Sequence, residues 1–267
     1  MSQQITSLQD LDNVDLIPAI QRVQLTFTTA KQFLHTRQDL LKRLGKLGSN
    51  LTIGIEEPGN PLTFRYGQFA VLHGRASNNI SSLLCVKAIL PKPLGTNSNV
   101  IFIDGGNVFN PYLISEHSVR HELNPKDVLE RVHISRAFTY HQLTTLIEKL
   151  PSVLDKYGAR LVIVANMTLL YCDPDIRGTE KQDALQTFLK TVKLLKTLAE
   201  RKRVLILATN LQSNHVMDKL LLHVAHISMR FEDRFTFTEL RILKHPWIPQ
   251  LKILVPKPSI QTLEAYL

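Results

Sequence analysis

Four short runs of uninterrupted apolar character, each followed by a stretch of helical periodicity, do most to limit what this chain can fold into. They are Phe69 to Leu72, 99–104 (NVIFID), 161–166 (LVIVAN) and 203–208 (RVLILA). A strand with one wet face alternates apolar and polar residues. A strand that is apolar throughout is buried on both faces, as in a parallel sheet covered by helices. Helical spacing fills the intervals at 111–122, near 125–131, at 140–150 and at 180–200, and a further strand is predicted at 132–135. The pattern predicts an α/β fold with a mostly parallel sheet flanked by helices. The character changes over 227–243, which reads as an antiparallel hairpin turning near Glu232-Asp233-Arg234, with 251–255 (LKILV) as a candidate extra strand.

Upstream, 23–30 (VQLTFTTA) leans extended. Residues 31–47 place Phe33, Leu40, Leu44 and Leu47 at helical spacing until Gly48-Ser49-Asn50 ends the run. A turn-rich stretch, Glu57 to Pro61, leads toward the first buried strand. The expected organisation is an N-terminal extension over 1–50 and one α/β core over 51–267. A chain of 267 residues is long enough for a sizeable core. No apolar run approaches the roughly 20 residues of a membrane span. The polar, acidic start MSQQITSLQDLDNVD is expected to be neither a signal nor a transit peptide. Cys85 and Cys172 form no metal-spaced or redox pair, which points to a reducing compartment, cytoplasmic or nuclear.

The formal charge of +9 is unevenly spread: residues 184–267 carry 13 Lys/Arg against 6 Asp/Glu. A basic surface favours nucleic acid or another polyanion, and a solvated face that aids solubility is the plain alternative. On the 180–200 segment Lys190, Lys193 and Lys196 recur every third residue, and Arg201-Lys202-Arg203 follow. Phe188, Leu189, Val192, Leu195 and Leu198 are expected to take the core face, which turns the lysines outward. No aromatic interleaves the set, so phosphate contact rather than base stacking is the expectation.

Residues 68–90 have the outline of a phosphate-binding loop without its chemistry. Such a loop reads G-x4-G-K-[ST], because backbone N–H groups cradle phosphate, Lys reaches the β/γ-phosphates and the hydroxyl holds Mg²⁺. Here Gly74 and Ser81 fit, but Asn79 stands at the second Gly and Ile80 at the Lys. A plainer role for Asn78, Asn79 and Ser81 is to cap the helix that follows. Nucleotide hydrolysis also needs an acidic residue at the end of a buried strand. The 161–166 strand offers Ala165 at that place. The 99–104 strand ends in Asp104, expected to orient the neighbouring turn rather than to bind metal.

The run FIDGGNVFNPYLI, then VLERVHISRAFTYHQL, then ARLVIVANMTLLYCDPDIRGTEKQDALQTFLKTVKLL, then RVLILATNLQ resembles the RecA/RadA recombinase superfamily, above all its archaeal and eukaryotic recombinases and their paralogues. The likeness runs in order over about residues 60–247. Ser135-Arg136-Ala137-Phe138 with His141-Gln142, Leu170-Tyr171 before a charged loop, and Ala208-Thr209-Asn210 are its distinctive parts. The resemblance implies a RecA-like P-loop NTPase core with degenerate motifs. The catalytic Glu of such recombinases falls on Gly106, and the polar sensor after Thr209-Asn210 falls on Leu211. It further implies two DNA-contacting loops. One corresponds to Cys172–Lys181, where Arg177 and Lys181 face phosphates while Asp173, Asp175 and Glu180 oppose them. The other, Gln212 to Met217, is much shorter than a strand-exchange enzyme needs. Phe27-Thr28-Thr29-Ala30 matches the family's Phe-x-x-Ala polymerisation motif, which adds a strand to a neighbour and plants Phe27 and Ala30 in pockets.

These readings together predict a catalytically inactive recombinase paralogue. It binds DNA through backbone phosphates, a recombinase or another paralogue, or both, in support of homologous recombination and repair. An ATPase with a non-standard or partner-completed site, and a purely structural subunit of a repair complex, stay open as alternatives. No cofactor is expected, with weak residual ATP binding left open. No metal site is expected either: His117 and His121 have zinc-compatible spacing without a third ligand. Homo- or hetero-oligomers are both compatible, and no membrane partner is expected. Trp247, the single Trp, is expected to pack, and His223 and His226 to belong to a helix end and the hairpin entry.

Overall fold

A computed structural model describes residues 51–57, 60–91, 95–211 and 216–256 of the chain. The buried runs form the centre of an eight-stranded sheet. Its strands are β3 (Phe69–His73), β4 (Asn99–Asp104), β5 (Val132–Arg136), β6 (Ala159–Ala165), β7 (Leu205–Asn210), β8 (Ile227–Asp233), β9 (Phe237–Lys244) and β10 (Leu251–Pro256). They lie in the order β10-β9-β8-β3-β7-β6-β4-β5. Pairing is parallel from β8 through β5 and antiparallel between β8, β9 and β10. The continuous apolarity of the central strands has a direct cause. Ala70, Leu72, Val100, Phe102, Leu161 and Ile163 serve one core, while Phe69, Val71, Ile101, Ile103, Val162 and Val164 serve the other.

Seven helices cover the two faces among the described residues. They are α1 (Ser77–Ile89), α2 (Pro111–Arg120), α3 (Pro125–Glu130), α4 (Tyr140–Glu148), α5 (Leu150–Tyr157), α6 (Thr179–Lys202) and α7 (Val216–Val224). Helices α1 to α3 pack on the first core, and α4 to α7 on the second. Local chemistry sets several starts. Asn110 and Asn124 accept backbone N–H bonds ahead of Pro111 and Pro125. Thr139 accepts from the Gln142 N–H while the Gln142 side chain accepts from the Phe138 N–H.

Three expectations are corrected. The helix predicted over 140–150 is two helices, because Pro151 has no N–H to continue the first; Gly158 at φ 62° closes the second. The hairpin turns at 234–236 rather than 232–234, since Glu232 and Asp233 still pair with Glu239 and Thr238. Finally, the turn-rich 57–61 stretch joins two strands, β1 (Leu51–Glu57) and β2 (Asn60–Phe64), in a separate antiparallel pair.

The parallel register brings the strand ends together at one edge. His73 pairs with Asn210 and Arg230, and Asp104 pairs with Ala165 and Arg136. In sheets of this kind, ligands bind beyond the carboxyl ends of the strands.

Candidate functional site

The loop after β3 is short: Gly74 turns the chain and α1 begins at Ser77. Gly74 adopts φ +98°, and a Cβ there would run into the carbonyl oxygen of Phe231 on β8, so only glycine fits. Its N–H donates to the Asn210 carbonyl at 2.9 Å. The capping role expected for Asn78, Asn79 and Ser81 is corrected: the N-cap position is Ala76, and no side chain caps α1. All three lie inside the helix. The Ser81 and Ser82 hydroxyls both turn back to the Asn78 carbonyl, at 2.9 and 3.0 Å. Asn79 Oδ1 meets His117 Nε2 at 2.8 Å. Ile80, at the place of the phosphate-binding Lys, packs against the first core.

Asp104 is fully buried at the end of β4. Its Oδ1 accepts the N–H groups of Gly106 and Val108 at 3.2 and 3.0 Å, and its Oδ2 accepts that of Phe109 at 3.1 Å. Arg136 Nη2 lies 3.5 Å from the same Oδ2. The carboxylate thus shapes the turn that delivers Asn110 to cap α2. Beside it, a Cβ on Gly106 would run into the Asn166 side chain. Asn166 follows Ala165, is buried at φ +50°, and donates its N–H to Thr209 Oγ1 at 3.1 Å.

The next strand end holds a network that sequence reasoning missed. The Thr168 hydroxyl lies 2.6 Å from Asn210 Oδ1 and 2.9 Å from Asp218 Oδ1, and Asn210 Nδ2 donates to Asp218. All three are buried, so α7 is pinned to the ends of β6 and β7. The available signal was Asp218 itself, the one acidic residue of the VMDKLLLHV helix. His73 is also buried here. Burial pushes its pKa down to about 4; Asp218 opposes the shift and Arg230 adds to it. Leu211 stands half-exposed at the rim of a cavity of about 340 Å³ lined by Asn166, Leu169, Cys172 and Pro174.

The basic residues do not form one patch. Arg177 and Lys181 are exposed at the start of α6, interspersed with exposed Asp173, Asp175 and Glu180. Arg201, Lys202 and Arg203 lie at the other end, about 36 Å away at 1.5 Å per residue over 24 residues. Lys190 and Lys193 are exposed between them, while Lys196 is half-buried. Lys202 is held by Asp155 at 2.8 Å. Phe188, Val192, Leu195 and Leu198 face the core as expected; Leu189 is only half-buried, and Ala184, Thr191 and Ala199 complete that face.

Among the described residues no three His, Cys, Asp or Glu side chains group to hold a metal. The His223 carbonyl accepts from Lys244 Nζ, and His226 bridges the Phe69 N–H and Glu200. Trp247 packs under Arg65. No described helix is long and apolar enough to cross a membrane. Phe27 and Ala30 lie outside the described residues.

A protein-family model described as Rad51 matches residues 46–226. Among curated relatives, the DNA repair protein RAD51 homolog 1 of Arabidopsis thaliana is 30% identical over 214 residues, covering 78% of this chain and 60% of that protein. The RAD51 homolog B of Zea mays is 31% identical over 70% of this chain and 55% of its own length. The Rad51 homolog of Drosophila melanogaster is 29% identical over the same shares. The chain therefore spans a little over half the length of the relatives it matches.

Proposed function

This chain belongs to the Rad51 family, and from that premise we propose that it is a recombinase paralogue that acts by binding in DNA repair, without turning over ATP. Phosphoryl transfer rests on positive charge at the phosphates, a metal-holding acid and a group that positions water. The observation that carries the reading is that each place is filled by something else. Ile80 is half-buried against the core, and the Asn166 side chain takes the space a residue larger than glycine would need at position 106. Ala165 offers no oxygen to a metal, and both Asp104 oxygens already accept backbone N–H groups. The Ser81 hydroxyl is engaged within its own helix.

These residues do not fit a magnesium–nucleotide pair. Removing a single preorganised charge-stabilising group from an active site typically costs about 10²–10³ in rate. Several such losses at one site support an idle scaffold.

The proposed partners are DNA, met through phosphates by the exposed lysines of α6, and a strand-exchange recombinase, met through Phe27 and Ala30. The proposed setting is the cytoplasm or nucleus. Phosphate release from ATP, followed with and without single-stranded DNA, is expected to stay at the protein-free baseline. DNA-stimulated release by the isolated chain would overturn the reading. Release that appears only with a recombinase, and is lost on mutating Asp104, would favour a partner-completed site instead.

A further inference from the structure

At the opposite edge of the sheet, three buried N–H donors have no acceptor among the described residues. Two are Nε and Nη1 of Arg65, a residue only 8% exposed. The third is Nε2 of His245. The proton on that nitrogen is assigned by its neighbour: Nδ1 accepts the N–H groups of Trp247 and Ile248 at 3.4 and 3.2 Å, so the neutral ring carries hydrogen on Nε2. Burial, then the nearby Arg65, push the imidazole pKa down to about 4, so the ring adds an N–H and no second charge at neutral pH.

Both residues meet at one aromatic platform. The Arg65 guanidinium carbon sits 4.3 Å from the Trp247 ring centre, and the His245 ring stands edge-on to the same indole at 4.8 Å. Stacking on an indole offsets part of the cost of a desolvated guanidinium, yet it supplies no acceptor to the in-plane N–H groups. Buried donors of this kind call for one. Trp247 and His245 are half-buried and Pro246 and Pro249 exposed, so the cluster lies just beneath an apolar rim at the surface. Nearby, the Gly67 N–H donates to the Val204 carbonyl, and Arg160 lies over Tyr66, the neighbour of Arg65, at 4.2 Å.

We propose that Arg65, His245 and Trp247 form a site for a carboxylate presented by an acidic segment of a partner protein. A carboxylate matches the planar fork of one guanidinium, carries the single charge that one guanidinium balances, and is slender enough to reach a side chain held under an indole. A phosphodiester strand is bulkier and is better met by exposed lysines.

The single Trp of the chain reports the site directly. The full chain is titrated with the acetylated, amidated peptide Leu-Glu-Asp-Leu-Glu, with its Gln/Asn counterpart, with inorganic phosphate and with a thymidine 20-mer, following Trp247 emission. A saturable change with the acidic peptide alone is the expected result. Arg65→Gln is expected to weaken it at least ~30-fold, as for truncation of a buried charge pair, and His245→Gln about 3- to 10-fold. Arg65→Lys, which keeps charge and bulk but loses the fork, is expected to bind about tenfold more weakly. It stands in if the Gln variant loses its circular-dichroism signature of folding. No saturable response, an equal response in Arg65→Lys and wild type, or a response to the oligonucleotide or phosphate alone would each overturn the site.

Discussion

His73 sits at the end of β3, one residue before the glycine that turns the chain, and shows how completely burial has redefined this position. A buried imidazole is held neutral because the low-dielectric interior disfavours its charged form. Its pKa of about 4 in the folded protein lies below the ordinary value of 6.5. Between those values the unfolded chain takes up a proton that the folded chain does not, so acidification favours unfolding. Stability is expected to fall as pH drops from about 6.5 to about 4, by up to about 3 kcal/mol from this residue, and to level off below. Urea melts of wild type and His73→Gln across that window check this. Parallel curves for the two proteins would show that His73 is not the titrating group. The same scale bears on the proposed lack of ATP turnover. Asp104 retains a catalytic-looking identity, yet both its oxygens accept N–H groups of the turn it shapes, as the sequence led one to expect.

Helix α6 links the sequence pattern to a surface. Its apolar residues fix which face is buried, and the lysines fall on the remainder by necessity of the 3.6-residue period. What periodicity could not give was the degree of exposure. Lys190 and Lys193 stand free of the core, whereas Lys196 is half-buried; burial first, and then the nearby Lys196 charge, push the pKa values of His226 and Lys244 down. If α6 meets duplex phosphates, replacing Lys190 and Lys193 together with Gln should flatten the log–log dependence of affinity on salt by about 1.8, at roughly 0.9 per lost contact. Lys196→Gln should change it by less. Binding isotherms from 50 to 200 mM salt decide the matter, and an unchanged slope would remove α6 from the interface. Elsewhere at this scale the reading of 140–150 failed for a local reason. Leu143, Ile147, Leu150 and Leu154 keep a helical spacing across Pro151, so the apolar pattern runs through a break that the missing N–H enforces.

For the molecule as a whole, what remains to connect is the core and the segment carrying Phe27 and Ala30. If that segment docks on a recombinase, Phe27→Glu should abolish capture of the organism's strand-exchange recombinase in a pull-down while leaving the thermal melt of the core unchanged. Undiminished capture would refute the docking role. The α/β class, the order of the central elements and the family were legible in the sequence by itself. Buried parallel strands must be apolar on both faces, and that leaves a signature no local change erases. That Ile stands at 80, Ala at 165 and Gly at 106 is read directly from the sequence. Only the tertiary structure decided what surrounds those positions. Asn166 against Gly106, Thr168 with Asn210 and Asp218, and Arg65 with Trp247 and His245 are partners separated by between 8 and 182 positions in the chain. Neither helical nor strand periodicity carries information over such separations. Long-range packing determines which buried polar group finds a partner and which is left to seek one.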